Sequence, residues 1–253
     1  MDEDQKTLGT TAERMHKHFE NEVTALAQSY YAWKSINNIA SGNEDIYHGL
    51  HDTAICWNII LHSLQTTFFI TLGRIFDTDT KVFSVHSYLR SYINNPEWFT
   101  PDALRIRKGW PKREDEPEWY QEYLSKAYYP KPEDFIEFKK LIKPYQVRYE
   151  SVYKPIRHNL MAHKNFEMLE SFNDLFKGTD ISILEGMILF LYQLHSSIFD
   201  LIYNGLRKEL SHYTFSEDER VNTDMVKILS RFNIKTPSEN GEASKDSDDY
   251  DTY

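Results

Sequence analysis

The chain has 253 residues, enough for one domain or one domain with an insert, and its 15 Phe, 17 Tyr and 5 Trp can fill a real core. Its net charge of −10 weakens the case for broad nucleic-acid affinity, but the charge sits at the ends. Six acids against one lysine in 237–253, and Asp2, Glu3 and Asp4 at the start, leave only −2 on residues 5–236. The apolar runs meet charges or amides before the length a membrane span needs, the start is acidic, and the single Cys56 excludes an intrachain disulfide, so the expectation is a cytoplasmic chain with no membrane partner.

With only 9 Gly and 9 Pro there are few hairpin turns, and the periodicity is helical. Met15, Phe19, Val23, Leu26, Tyr30, Trp33 and Ile36 recur at three- and four-residue steps, predicting one amphipathic helix over about 11–40, after a flexible acidic stretch 1–10. Ser41, Gly42 and Asn43 end it. A second stripe runs Leu50, Ala54, Trp57, Leu61, Leu64, Phe68, Leu72, Ile75, and from Thr66 to Phe76 it is apolar nearly all round, which places that end centrally. Asp77 to Thr80 breaks it, and 84–93 reads as a short helix. Residues 95–131 hold five prolines and three tryptophans with little periodicity and read as a surface insert; its Tyr120, Tyr123, Tyr128 and Tyr129 are taken as covered aromatics rather than base-stacking platforms. Pro132, followed by Glu133 and Asp134, opens the next helix. Its stripe (Phe135, Phe138, Leu141 or Ile142, Tyr145, Tyr149, Val152, Ile156, Leu160) passes through Pro144 and Pro155, each expected to kink it. A last strong helix starts near Thr179 and Asp180 with Ser182-x-x-Glu185 as a capping box, is apolar on two sides, and loosens or ends at Gly205. A short helix follows at about 218–232, and the Ser/Asp-rich tail 236–253 is expected to be disordered.

The chemistry concentrates in Lys154-Pro155-Ile156-Arg157-His158-Asn159-Leu160-Met161-Ala162-His163-Lys164. Arginine is a forked, permanent cation suited to phosphate, and histidine exchanges protons near neutral pH. On a regular helix Arg157 and His163 stand about 240° apart, so a joint site requires a distorted helix after Pro155 or a second copy of the motif from another subunit. Glu44, His48, His51 and Asp52 share a face at a spacing able to hold Zn²⁺. No second activating motif accompanies them, so the expectation is no metal and no cofactor. Cys56, between Ile55 and Trp57, reads as a core residue.

Ile156-Arg157 and Ala162-His163, together with Leu72-Gly73-Arg74-Ile75-Phe76-Asp77 roughly eighty residues upstream, resemble the abortive-infection U (AbiU-like) branch of the HEPN superfamily over about residues 15–205. The resemblance implies an all-α, HEPN-type helical bundle that dimerises to pair two motifs. It also implies a metal-independent endoribonuclease toxin of a phage-defence system, acting on RNA, with an antitoxin or other defence-system partner. In that reading His163 is the general acid or base, Arg157 stabilises the phosphorane, Asn159 orients His163, and His158 steers the guanidinium or touches phosphate. Arg74 and Asp77 support the motif by packing near it; the plain alternative for them is a local salt bridge. HEPN toxins silenced by a nucleotidyltransferase antitoxin carry a tyrosine shortly after the motif histidine; here Lys164 and Asn165 follow His163, which does not support that regulation. The competing class is a non-catalytic HEPN module binding RNA, a nucleotide or a protein.

Overall fold

The structure, a computed structural model, describes residues 3–109, 117–162 and 178–233, with side chains placed for 11–109, 117–159 and 178–231. His163 and the acidic tail lie outside the described residues. Every regular element among those described is helical, so the chain is all-α. Helix α1 (Glu3–Gly42) begins earlier than its stripe suggested and buries Phe19, Val23, Leu26, Tyr30 and Ile36. Asn43 ends it and caps the next helix, its side chain accepting the amide of Ile46.

The stripe from Leu50 to Ile75 is not one helix but two, α2 (Glu44–Asp52) and α3 (Ala54–Ile75). Thr53, at φ −122° and ψ 36°, donates its hydroxyl to the Gly49 carbonyl at 3.3 Å, a local bond that competes with the helical ladder. Beyond the break, Trp57, Leu61 and Leu64 turn toward a small cluster with Ile36, Ile46 and Leu229. Ile55, Cys56 and Ile59 face outward, so Cys56 is exposed rather than a core residue. The second half of α3 is central as expected: Phe68, Phe69, Leu72, Ile75 and Phe76 are all buried.

Ser84 caps α4 (Val85–Asn94) through a reciprocal bond with Ser87. A 3₁₀ turn at Pro96–Phe99 then feeds Trp98 and Phe99 into the main core. Helices α5 (Pro101–Arg107) and α6 (Glu118–Lys126) share a satellite cluster of Leu104, Tyr120 and Leu124. The tyrosines here are engaged: Tyr120 is buried, Tyr123 donates to the Asn204 carbonyl, Tyr129 to that of Leu124, and Tyr128 to Asp134.

Helix α7 (Pro132–Arg148) packs on α4. Helix α8 (Ile181–Phe199) is capped by Asp180, which accepts the Ser182 amide, and not by a Ser182–Glu185 box; Glu185 is drawn instead to Lys34 and the Tyr30 hydroxyl. It ends in a π-helical turn, Asp200–Asn204, and Gly205 takes φ +57°, a left-handed value that glycine adopts without strain. Helix α9 (Glu217–Leu229) lies against α1, which also packs on α3 and α8. Contrary to the sequence expectation, two stretches, Ala54–Ile75 and Ile181–Asn204, are long and apolar enough to cross a membrane by length and composition.

Candidate functional site

The two prolines of the motif helix behave differently. Pro144 sits inside α7 with the helix continuing through it. Ahead of Pro155 the helix widens: Tyr149–Tyr153 is π-helical, with the Lys154 amide bonding the Tyr149 carbonyl. Pro155 has no amide hydrogen, and its ring would strike the carbonyl one turn back, so an extra residue in the preceding turn relieves the clash. One ordinary turn, Lys154–Ile156, is followed by a second π-helical stretch, Arg157–Ala162. Such wide turns are rare and recur at functional sites. The helix is thus distorted from Arg157 onward, while His163 itself lies outside the described residues.

Tyr149, Tyr153 and Ile156 face inward and are buried, which holds the segment against the second half of α3. Arg157 is half-buried. Its side chain runs across Gly73 of α3, where a Cβ would overlap Cδ and Nε of the arginine and lie 3.0 Å from Cζ. The guanidinium lies beside the phenol of Tyr149, two turns back along the same helix. Burial pushes the Tyr149 hydroxyl above its usual range, Arg157 pulls it down, and Asp77 and Glu150 push it up. The ring of Tyr149 stacks on Phe76 at 5.5 Å between centroids. Nε of Arg157 is buried with no hydrogen-bond partner, and among the described residues no carboxylate pairs with this guanidinium.

Gln146 anchors the site from below. Its amide nitrogen donates to the Phe76 carbonyl at 3.2 Å and to Glu150 at 3.0 Å, while its oxygen accepts from His86 Nε2 at 2.7 Å. The end of α3, the start of α4 and the motif helix are thereby tied to one side chain.

The predicted residues are only partly brought together. His158 is exposed and Asn159 half-buried beside Arg157. Arg74 and Asp77 do not form the local salt bridge: Arg74 donates to Glu22 of α1 at 2.9 Å and to the Thr71 hydroxyl at 3.2 Å. Asp77 accepts the Asp79 amide and faces the Tyr149 phenol electrostatically, so of the pair it is Asp77 that lies toward the motif. Gly73, Tyr149, Gln146 and His86 were missed as site residues. Gly73 and Tyr149 lie within segments already singled out, one beside Arg74 and one on the motif stripe, but nothing in the sequence joins them to Arg157.

The metal-spaced face of α2 is an exposed helical turn, with His48 Nε2 3.8 Å from Glu44 and His51 packed edge-on against Tyr47. Among the described residues no group of three or more His, Cys, Asp or Glu converges to hold an ion.

The family model HEPN_AbiU2, described as AbiU2, matches residues 10–226, a span that includes the α3 end, the wide turns and Arg157. No curated protein and no solved structure matches the chain.

Proposed function

The chain belongs to the HEPN AbiU2 family, and on that footing we propose that it is a metal-independent endoribonuclease of an abortive-infection system. The observation that carries the reading is the half-buried Arg157 guanidinium, which has a neutral phenol for a neighbour and no carboxylate paired with it among the described residues. Burying a cation without a counter-charge is costly, and an anion arriving at the site offsets that cost. A phosphodiester supplies the anion, and the more highly charged phosphorane formed during its cleavage gains more from the same donors. His163 takes the proton from the ribose 2′-hydroxyl or gives one to the leaving oxygen, and Asn159 orients it. His158, exposed beside Arg157, steers the guanidinium or contacts phosphate. The reading includes a homodimer, with a second copy of the motif completing the site, and a cytoplasmic setting with an antitoxin or defence-system partner.

Incubation of the purified chain with single-stranded RNA in EDTA tests this. Cleavage is expected to persist in EDTA and to yield ends bearing a cyclic 2′,3′-phosphate, the product of attack by the neighbouring hydroxyl. Dependence on Mg²⁺, or 5′-phosphate products, would overturn the mechanism. RNA binding without cleavage would leave the chain a non-catalytic HEPN module. Light scattering at micromolar concentration is expected to give a dimer, and a monomer would remove the second motif.

A further inference from the structure

We propose that Gly73 and Tyr149 are positioning residues that form a seat for Arg157: the missing Cβ of Gly73 opens the track along which the arginine crosses α3, and the Tyr149 phenol fixes where its guanidinium stops. The inference rests on the nuclease reading above only in what the seat is for; the seat itself stands on geometry.

Three observations converge. Gly73 is buried in the last turn of α3, still within the helix, where glycine is less favourable than alanine, so its presence there asks for a packing reason. The reason is steric: a methyl group at Gly73 would occupy the volume of Arg157 Cδ and Nε. The atoms in the way belong to a flexible side chain and not to backbone. An alanine at position 73 therefore evicts the arginine without breaking the bundle. Finally, Nε is buried and unpartnered, so hydrogen bonds there do not hold the side chain; the shape of the track and the phenol at its end do. The rigidity this imposes on the guanidinium is what orientation-dependent catalysis needs. Tyr149 is itself held, by stacking on Phe76 whose carbonyl accepts from Gln146, so the seat is braced from two helices.

The experiment uses the full chain labelled with ¹⁵N. The Nε–H resonance of Arg157, assigned by its loss in Arg157→Lys, is expected to exchange slowly with solvent in the wild type and at least tenfold faster in Gly73→Ala. The helical spectrum and thermal midpoint of Gly73→Ala should match or exceed the wild type. RNA cleavage should fall at least tenfold in Gly73→Ala, should fall by a smaller factor in Tyr149→Phe, and should fall no further when Gly73→Ala is added to Arg157→Ala. Unchanged Nε–H exchange in Gly73→Ala overturns the seat, as does a further loss of cleavage in the double variant. If Arg157→Ala cleaves like the wild type, the nuclease reading fails, while the exchange measurement still decides the seat. If Arg157→Ala is inactive and Gly73→Ala fully active, the seat fails and the nuclease reading stands.

Discussion

Two of the polar clusters set against the core are built on opposite rules. Around His16 the buried groups are neutral, with the more exposed Lys17–Glu20 ion pair alongside. His16 shares a 2.8 Å hydrogen bond with the Tyr88 hydroxyl, its ring lies 5.9 Å from that of His195, and Tyr92 donates to the Ala12 carbonyl at 3.1 Å. Burial drives the pKa of both histidines down to about 4, so each stays uncharged at neutral pH. His195 Nδ1 has no partner, a cost limited to one neutral group. Around Arg157 the group is a permanent cation, half-buried, with a phenol beside it and no carboxylate paired to it among the described residues. The first cluster carries no charge on its buried histidines and serves the fold. The second holds a cation with no balancing carboxylate among the described residues, as expected of a site that waits for an anion.

That contrast can be broken at its strongest point first. His163→Gln should lower RNA cleavage by ~10²–10⁴, the usual cost of losing a general acid–base group. The circular-dichroism spectrum should not change; full activity in this variant would remove the proton-transfer half of the site.

The histidine cluster predicts a pH effect instead. Both folded pKa values lie below the ordinary value of 6.5, so the unfolded chain binds more protons between about 4 and 6.5. Stability is therefore fully present above about pH 6.5 and falls as the pH drops toward 4, by up to roughly 3 kcal/mol per histidine. Urea midpoints measured from pH 7 to pH 4 should fall, and His16→Gln should flatten part of that slope. A midpoint independent of pH in the wild type would mean that the histidines are not buried neutral. Tyr88→Phe, which strands His16, should cost roughly 1–3 kcal/mol in the same assay and leave cleavage intact.

The smallest effect belongs to the ion pair outside both clusters. Arg74 and Glu22 meet at 2.9 Å with the arginine half exposed, so Arg74→Ala should cost under about 1 kcal/mol. A larger loss of stability, or a loss of cleavage on the scale of His163→Gln, would move Arg74 into the site.

The parts of this arrangement that local chemistry dictates could be read from sequence. Ser84 at the start of α4, Pro132 at the start of α7 and Gly205 at the end of α8 mark boundaries because caps and left-handed residues act within a few positions. Even locally, competition decided against the reading twice. Asp180 caps α8 because Glu185 is engaged by Lys34 and Tyr30, more than a hundred residues away in the chain. Thr53 cuts α2 from α3 because its hydroxyl finds Gly49, and that break turns Cys56 outward. The motif itself was legible by residue type and spacing. Its seat was not, since the complementarity of Gly73 to Arg157 is a contact between α3 and the motif helix that no periodicity encodes. Arg74 likewise found Glu22 on another helix instead of Asp77 three residues on.

On this reading Arg157 is retained for chemistry and not for the fold. Its most direct test measures the cleavage rate and the thermal midpoint of Arg157→Ala on the same preparation. The rate is expected to fall by ~10²–10³, as when one transition-state donor is removed. The midpoint is expected to equal or exceed the wild type, because the half-buried cation taken away has no counter-charge among the described residues. A wild-type rate together with a lowered midpoint would contradict it and make Arg157 a structural residue.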